Sequence, residues 1–395
     1  MTKVTLPTNK QPAPSMHRWI GTVMLALLAM PVAASWANTG GIEVDVVYTG
    51  ELWESVAGGQ EEGSAYLDNL DVTIDVDVEE LWGLRGTRFF LYGLYNNGGH
   101  LSSTLVGDLQ GVSNIETGVS AVRLYEAWLN VSLSPRSGLR VGLYDLNSEF
   151  DSLEASQLFV HSAHGIGTDI SQTGANGPSI FPSTSLSLRY RRQLTDAWTA
   201  NIAILDGVPG DPDDPGSSRI RLSSEEGALV IGELQRESAR SRLLVGAWAY
   251  TEEVDIEPPE VGPGDSRERN WGAYLRGEAT LSDRRGTLSA FGRFGIANDD
   301  VNLFESFFSA GLHWSGFLEN RPGDEAGVAI AWAHASEHAG TTTDASEIAL
   351  ELTYRWQIND WLSLQPDIQY IINPGLDPGL ENALVAGLRF EVQLL

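Results

Sequence analysis

The chain contains no cysteine, and it contains no lysine after residue 10. Its four methionines, Met1, Met16, Met24 and Met30, all fall within the first 30 residues. The absence of cysteine excludes a disulfide scaffold, cysteine-bearing zinc ribbons, iron–sulfur sites and a cysteine nucleophile. Positive charge is scarce: 25 basic side chains stand against 53 acidic ones, a formal net charge of −28. That balance excludes a nucleic-acid partner, because neutralising phosphates needs a basic face. Long apolar runs are also missing. The charge-free, mainly apolar stretch from Trp19 to Ala34 is 16 residues, short of the ~18–20 a membrane-spanning helix needs. Every later apolar run is shorter still.

That N-terminal stretch has a different use. Lys3, Lys10 and Arg18 precede it, and Ser35 and Ala37 place small residues at −3 and −1 of a cleavage point. This is the pattern of a secretory signal peptide over residues 1–37. Without it the chain keeps 22 arginines (25 basic residues less Lys3, Lys10 and Arg18) against 53 acids, a net of −31. A cysteine-free, lysine-free, acidic chain with 42 glycines is consistent with export to the bacterial outer membrane or the periplasm. Composition leaves those two open.

What the remaining chain has in abundance is period-two alternation. Ile348, Leu350, Leu352, Tyr354 and Trp356 share one face, with Glu347, Glu351, Thr353 and Arg355 on the other. Such a repeat is a strand. It recurs over 42–48, 66–79, 87–96, 121–133, 139–146, 184–194, 198–206, 227–236, 241–254, 270–281, 287–297, 306–317, 325–337, 345–357, 362–373 and 384–394. Short connections such as Asn359-Asp360 alternate with longer loops rich in glycine, proline and aspartate. A soluble sandwich alternates too. Here, however, the polar face carries charges and amides in strand after strand, and aromatics such as Trp198, Trp271, Trp314, Trp356 and Tyr370 sit near strand ends. A polar interior, an apolar exterior and aromatic girdles predict an all-β, antiparallel transmembrane barrel of about 16 strands, closed because lipid tolerates no open sheet edge. The long stretch 148–183 does not alternate. Ser152 to His161 has helical spacing, and the whole stretch is expected to fold inward and narrow the lumen.

Motifs between residues 81 and 215 make the expectation more specific. They read LWGLRG (81–86), FFLYGLYNNGG (89–99), GDLQGVSNIE (107–116), RLYEAWL (123–129), VGLYDLNSEFD (141–151), HSAHGIGTDISQTGANGPSIFP (161–182) and DGVPGDPDDP (206–215). In order and spacing this resembles the carbohydrate-selective porin family of the OprB type. The downstream half matches in rhythm, and the chain ends in Leu395 where such barrels often end in an aromatic. The resemblance implies an outer-membrane channel for facilitated diffusion of monosaccharides such as glucose. It also implies outer-membrane lipid and the barrel-assembly machinery as partners, homo-oligomers as an option, and no cofactor. A general or ion-selective porin is the alternative.

Parity assigns candidate lining residues. Glu126, Trp128 and Asn130 oppose an apolar face, and Arg140, Tyr144, Arg189, Arg191, Arg276, Glu278, Arg293, Glu351 and Arg355 fall inside by the same test. Glu149 and Asp151 lead into the long loop, and Gln172 lies within it. Arginine and carboxylate groups can bond sugar hydroxyls and Trp128 can stack on a sugar ring, although any water-filled lumen carries such groups. His161 and His164 form H-x-x-H without the further ligands of a zinc site. The acidic segment 206–216 lacks the twelfth-position glutamate of a calcium loop. No nucleophile elbow or phosphate loop occurs, so no enzyme activity is expected.

Overall fold

The structure, a computed structural model, describes residues 38–395 apart from 219, 224, 256–266 and 338–343. The signal-peptide segment 1–37 therefore lies outside the described residues. After a two-residue pairing, β1 (Asn38–Thr39), come β2 (Ile42–Gly59), β3 (Gly63–Asp77), β4 (Thr87–Asn96), β5 (Ala121–Ser134), β6 (Ser137–Tyr144), β7 (Ser185–Gln193), β8 (Trp198–Asp206) and β9 (Ala228–Ser238). They continue with β10 (Ser241–Asp255), β11 (Arg267–Ser282), β12 (Thr287–Ala297), β13 (Phe304–Ser315), β14 (Glu325–Ala335), β15 (Ser346–Asn359), β16 (Leu362–Ile372) and β17 (Glu381–Gln393).

Each of β2 to β17 pairs antiparallel with its neighbour in sequence, and β17 returns to β2 through pairs such as Arg389 with Glu51 and Gly387 with Trp53. The sheet is a closed barrel of sixteen strands. Its connections follow two classes. One end carries tight turns, such as 135–136, 239–240 and 360–361, and the other carries the long segments 97–120, 145–184 and 207–227.

The outward positions are apolar and exposed: Leu129, Val141, Leu188, Ile204, Val245, Leu275, Val328, Leu352 and Ile368 form part of a belt around the barrel. In water such a surface would cost free energy roughly in proportion to its area. In a bilayer it is the contact surface. Trp271, Trp314, Trp356 and Tyr370 are exposed towards the strand ends, the kind of position at which aromatic girdles of such barrels meet the headgroups.

Three expectations need correction. The first strand extends to Gly59 rather than ending at residue 48, because Thr49, Glu51, Trp53 and Ser55 continue the inward row and are all buried. Ser152 to His161 is not a helix. It holds a single 3-10 turn, Glu154–Ser156, and its N–H groups bond the wall instead: Ala155 N donates to Glu278 at 2.8 Å, and Val160 N and His161 N donate to Glu351 at 2.7 and 3.2 Å. A helix would have spent those donors on itself. And the lumen is not polar throughout. Apolar side chains of two inward segments pack against apolar wall residues: Leu101, Val106 and Val112 beside Ala333 and Val385; Leu146, Phe150 and Ile170 beside Ile231 and Trp248; Leu153, Leu158 and Phe159 beside Leu244 and Phe291.

Candidate functional site

The loop 145–184, between β6 and β7, crosses the lumen and is fastened by buried ion pairs. Asp151 is fully buried at a positive φ of 50°. Its carboxylate receives Arg293 Nε at 2.9 and 2.8 Å and Arg276 Nη1 at 3.2 Å, and its own N–H donates to Glu233 at 2.9 Å. Arg293 also pairs with Asp169 at 2.5 Å. Arg276 donates to the carbonyl oxygens of Asp151, His164 and Gly165 at 2.5, 2.7 and 2.8 Å and to Ser156 Oγ at 2.5 Å. Two glycines permit this approach. A Cβ on Gly167 would lie 2.1 Å from Arg293 Nη1, and one on Gly295 would lie 2.0 Å from Asp169 Oδ2. Burial raises the Asp169 carboxyl, and Arg293 opposes that rise.

A second inward segment, 97–120, escaped the sequence analysis. Glu347 on β15 receives the N–H groups of Leu109 and Gln110 at 3.1 and 3.0 Å. Gln369 on β16 donates to the Val112 carbonyl at 2.9 Å, and Arg389 donates to Asn114 at 2.5 Å and Glu51 at 2.6 Å. Gln172 Nε2 donates to the Leu109 carbonyl at 2.5 Å and so joins the two segments.

On the short-turn side of these segments a cavity of about 500 Å³ remains. Trp128, Asn130, Arg140, Glu149, Arg189 and Arg191 line it, with the Asp75–Arg88 and Asp196–Arg136 pairs, Gln235 and Glu237. Glu149 is the hub: Arg189 lies 2.7 Å from it, Arg140 lies 3.6 Å from it, and the Tyr144 hydroxyl donates to it at 2.7 Å. Trp128 donates its indole N–H to Glu126 at 3.1 Å, and Glu126 also receives Asp145 N at 3.1 Å. The Trp128 ring stacks on Phe90 at 4.9 Å, and the Arg140 guanidinium lies 3.8 Å from its centroid.

The fifteen candidate residues thus fall into separate groups. Trp128, Asn130, Arg140, Glu149, Arg189 and Arg191 meet at the cavity, with Glu126 and Tyr144 supporting them. Asp151, Gln172, Arg276, Arg293 and Glu351 hold the inward segments, and the two arginines have no exposed side-chain surface. Glu278 bonds the loop and borders a smaller cavity of about 280 Å³ with Arg242 and His313. Arg355 pairs with Glu325 at 2.6 Å, away from the cavity. Phe90, Glu233, Gln235, Glu347 and Gln369 were not singled out from the sequence. Period-two parity marks them as inward, but parity does not say which inward residues a loop will meet.

His161 and His164 are buried beside Phe159 and Phe291. Burial pushes the His161 imidazole down to about 3, and His164 is driven well below its ordinary value by burial and then by His161 and Arg276. Burial raises the Asp145 carboxyl to about 6. The acidic segment 206–216 is tied to the wall through Arg123, which donates to the Pro215 carbonyl at 2.8 Å, and to the loop 145–184 through Asn176, which donates to the Pro209 carbonyl at 2.7 Å.

An apolar belt outside a closed barrel, with anchored segments narrowing a charged lumen inside, defines an outer-membrane channel. The chain matches the family model of the carbohydrate-selective porins, OprB family, over residues 61–394, and it belongs to that family. It is 22% identical to Porin B of Pseudomonas aeruginosa, over 89% of this chain and 87% of that protein. Its fold is similar to the high-pH structure of Pseudomonas putida OprB, with TM-score 0.78, 19% identity and coverage of 95% of this chain and 97% of the other. It is also similar to the outer-membrane channel DcaP of Acinetobacter baumannii, with TM-score 0.56, 10% identity and coverage of 91% and 99%. The protein is a sugar channel of the outer membrane.

Proposed function

We propose that monosaccharides of the size of glucose pass down their gradient through this barrel, and that the loop 145–184 forms the constriction. Asn130, Arg140, Glu149, Arg189 and Arg191 are then the solute-contacting residues, and Trp128 holds the Arg140 guanidinium in place. The observation that carries this assignment is the cavity itself: a compartment of about 500 Å³, walled by fixed donors and acceptors, beneath a loop that buried ion pairs hold in place. Arginine forks and the Glu149 carboxylate offer hydroxyl partners at separate points, which favours weak, multi-point binding. A channel needs such binding, since a tight site would not conduct.

Export completes the assignment. Residues 1–37 are removed, and intact-mass measurement of the outer-membrane protein is expected to give Asn38 as its first residue.

The test is single-channel conductance in a planar bilayer with glucose titrated into the salt solution. The expected result is discrete open channels whose current falls saturably with glucose, with a weaker block in Arg189→Ala. A current that falls only as solution viscosity rises would make the protein a general porin.

A further inference from the structure

The cavity carries more positive charge than a neutral solute needs, and the surplus is local. Arg88 and Arg136 are each matched by a carboxylate at 2.8 Å, Asp75 and Asp196 respectively. Arg140 and Arg189 share one carboxylate, Glu149. Arg191 borders the same cavity, and no ion pair or hydrogen bond of its side chain occurs among the described residues. The remaining acid of the lining, Glu237, stands on β9 and also borders the neighbouring smaller cavity.

A second observation bears on what this surplus can hold. The ring expected to stack on sugars is occupied on both sides, by Phe90 at 4.9 Å and by the Arg140 guanidinium at 3.8 Å. Trp128 therefore serves to position a cation. The chemistry the cavity presents is guanidinium forks, and a fork matches a carboxylate with two parallel hydrogen bonds. The cavity opens among the short turns, at Pro135, Arg136 and Ala197, away from the acid-rich long loop 207–227.

We propose that this cavity is a site for monosaccharides that carry a carboxylate, such as hexuronates. Arg191 receives the acid group beside Arg140 and Arg189, and Asn130, Glu149 and Gln235 meet the ring hydroxyls. The inference rests on the sugar-channel function proposed above and adds a substrate class to it. A hexuronate is singly negative at neutral pH, so its contacts with Arg191 are charge-assisted, whereas those of glucose are not.

The test compares half-blocking concentrations of glucuronate, glucose and acetate on single channels of the full-length mature protein in 0.1 M salt. Glucuronate is expected to block at about fivefold lower concentration than glucose, the difference between charged and neutral hydrogen bonding. The ratio should shrink in 1 M salt, where the screening length falls from about 10 Å to about 3 Å. It should collapse towards one in Arg191→Gln and survive in Arg191→Lys, and open-channel conductance of both variants reports that they are folded. The proposal is overturned if glucuronate blocks no better than glucose, if Arg191→Gln leaves the ratio intact, or if acetate competes as well as glucuronate, which would make the site a plain ring of charge. Glucose block without a glucuronate preference removes this proposal and leaves the sugar channel standing. Open channels that respond to neither sugar remove both.

Discussion

The residues that matter most for the lumen are arginines in two different conditions. Arg276 and Arg293 are fully enclosed, and their forks are filled by Asp151, Asp169 and loop carbonyls. Arg140, Arg189 and Arg191 border open space. Both sets lie on inward positions of alternating strands, so sequence parity groups them together; only the path of the loop separates them. Breaking the buried set leaves unpaired charge, which costs about 3–5 kcal/mol. Arg293→Met is therefore expected to lower thermal stability and to raise channel noise as the loop detaches, with partial rescue in the double variant Arg293→Met, Asp169→Asn, because Arg276 still pairs with Asp151 and Asp169 is the carboxylate left unpaired. Unfolding and noise spectra of the single and double variants check this. A single variant as quiet and as stable as the wild type would show that the pairs do not hold the loop.

At the scale of elements, the loop 145–184 and its companion 97–120 are parts of the wall as much as connections. Their N–H groups bond to barrel carboxylates and their apolar side chains pack on the lumen face. Replacing residues 152–180 with a short glycine–serine linker is expected to raise conductance severalfold and to admit disaccharides, measured by liposome swelling. The loop is also pH-sensitive through His161. Its folded imidazole stands at about 3, below the ~6.5 of the unfolded chain. Between those values the unfolded state binds more protons, so this contribution is intact above pH 6.5 and is lost progressively as pH falls towards 3. Asp145 and Glu116 act oppositely, because burial raises their carboxyls to about 6 and about 7. The His161 part is thus read as a difference: loop noise in His161→Gln should rise less between pH 6.5 and pH 4 than in the wild type.

For the whole molecule the governing term is the solvent. Leu352, exposed and flanked by Val328 and Ile368 on neighbouring strands, lies in the lipid-facing belt. Leu352→Arg is expected to destabilise the barrel by about 2–4 kcal/mol if the position is near the midplane and by less towards either interface. Urea unfolding in lipid vesicles measures it, and no loss of stability would place the position outside the hydrocarbon.

Strand number, the inside and outside faces and the outer-membrane setting were legible in the sequence. They follow from a local rule: side chains alternate across a strand, and lipid demands one apolar face and a closed edge. Ile348 to Trp356 shows that rule within a single segment. The fastening of the lumen was not legible in this way. Asp151 meets Arg276 and Arg293 across 125 and 142 residues of chain, and Glu347 meets Leu109 across 238. The helical spacing of Ser152 to His161 was overridden because Glu278 and Glu351 supply its backbone partners. Which arginines are spent on the loop and which border the open cavity is decided by closure of the barrel, since only closure brings those distant side chains into one lumen.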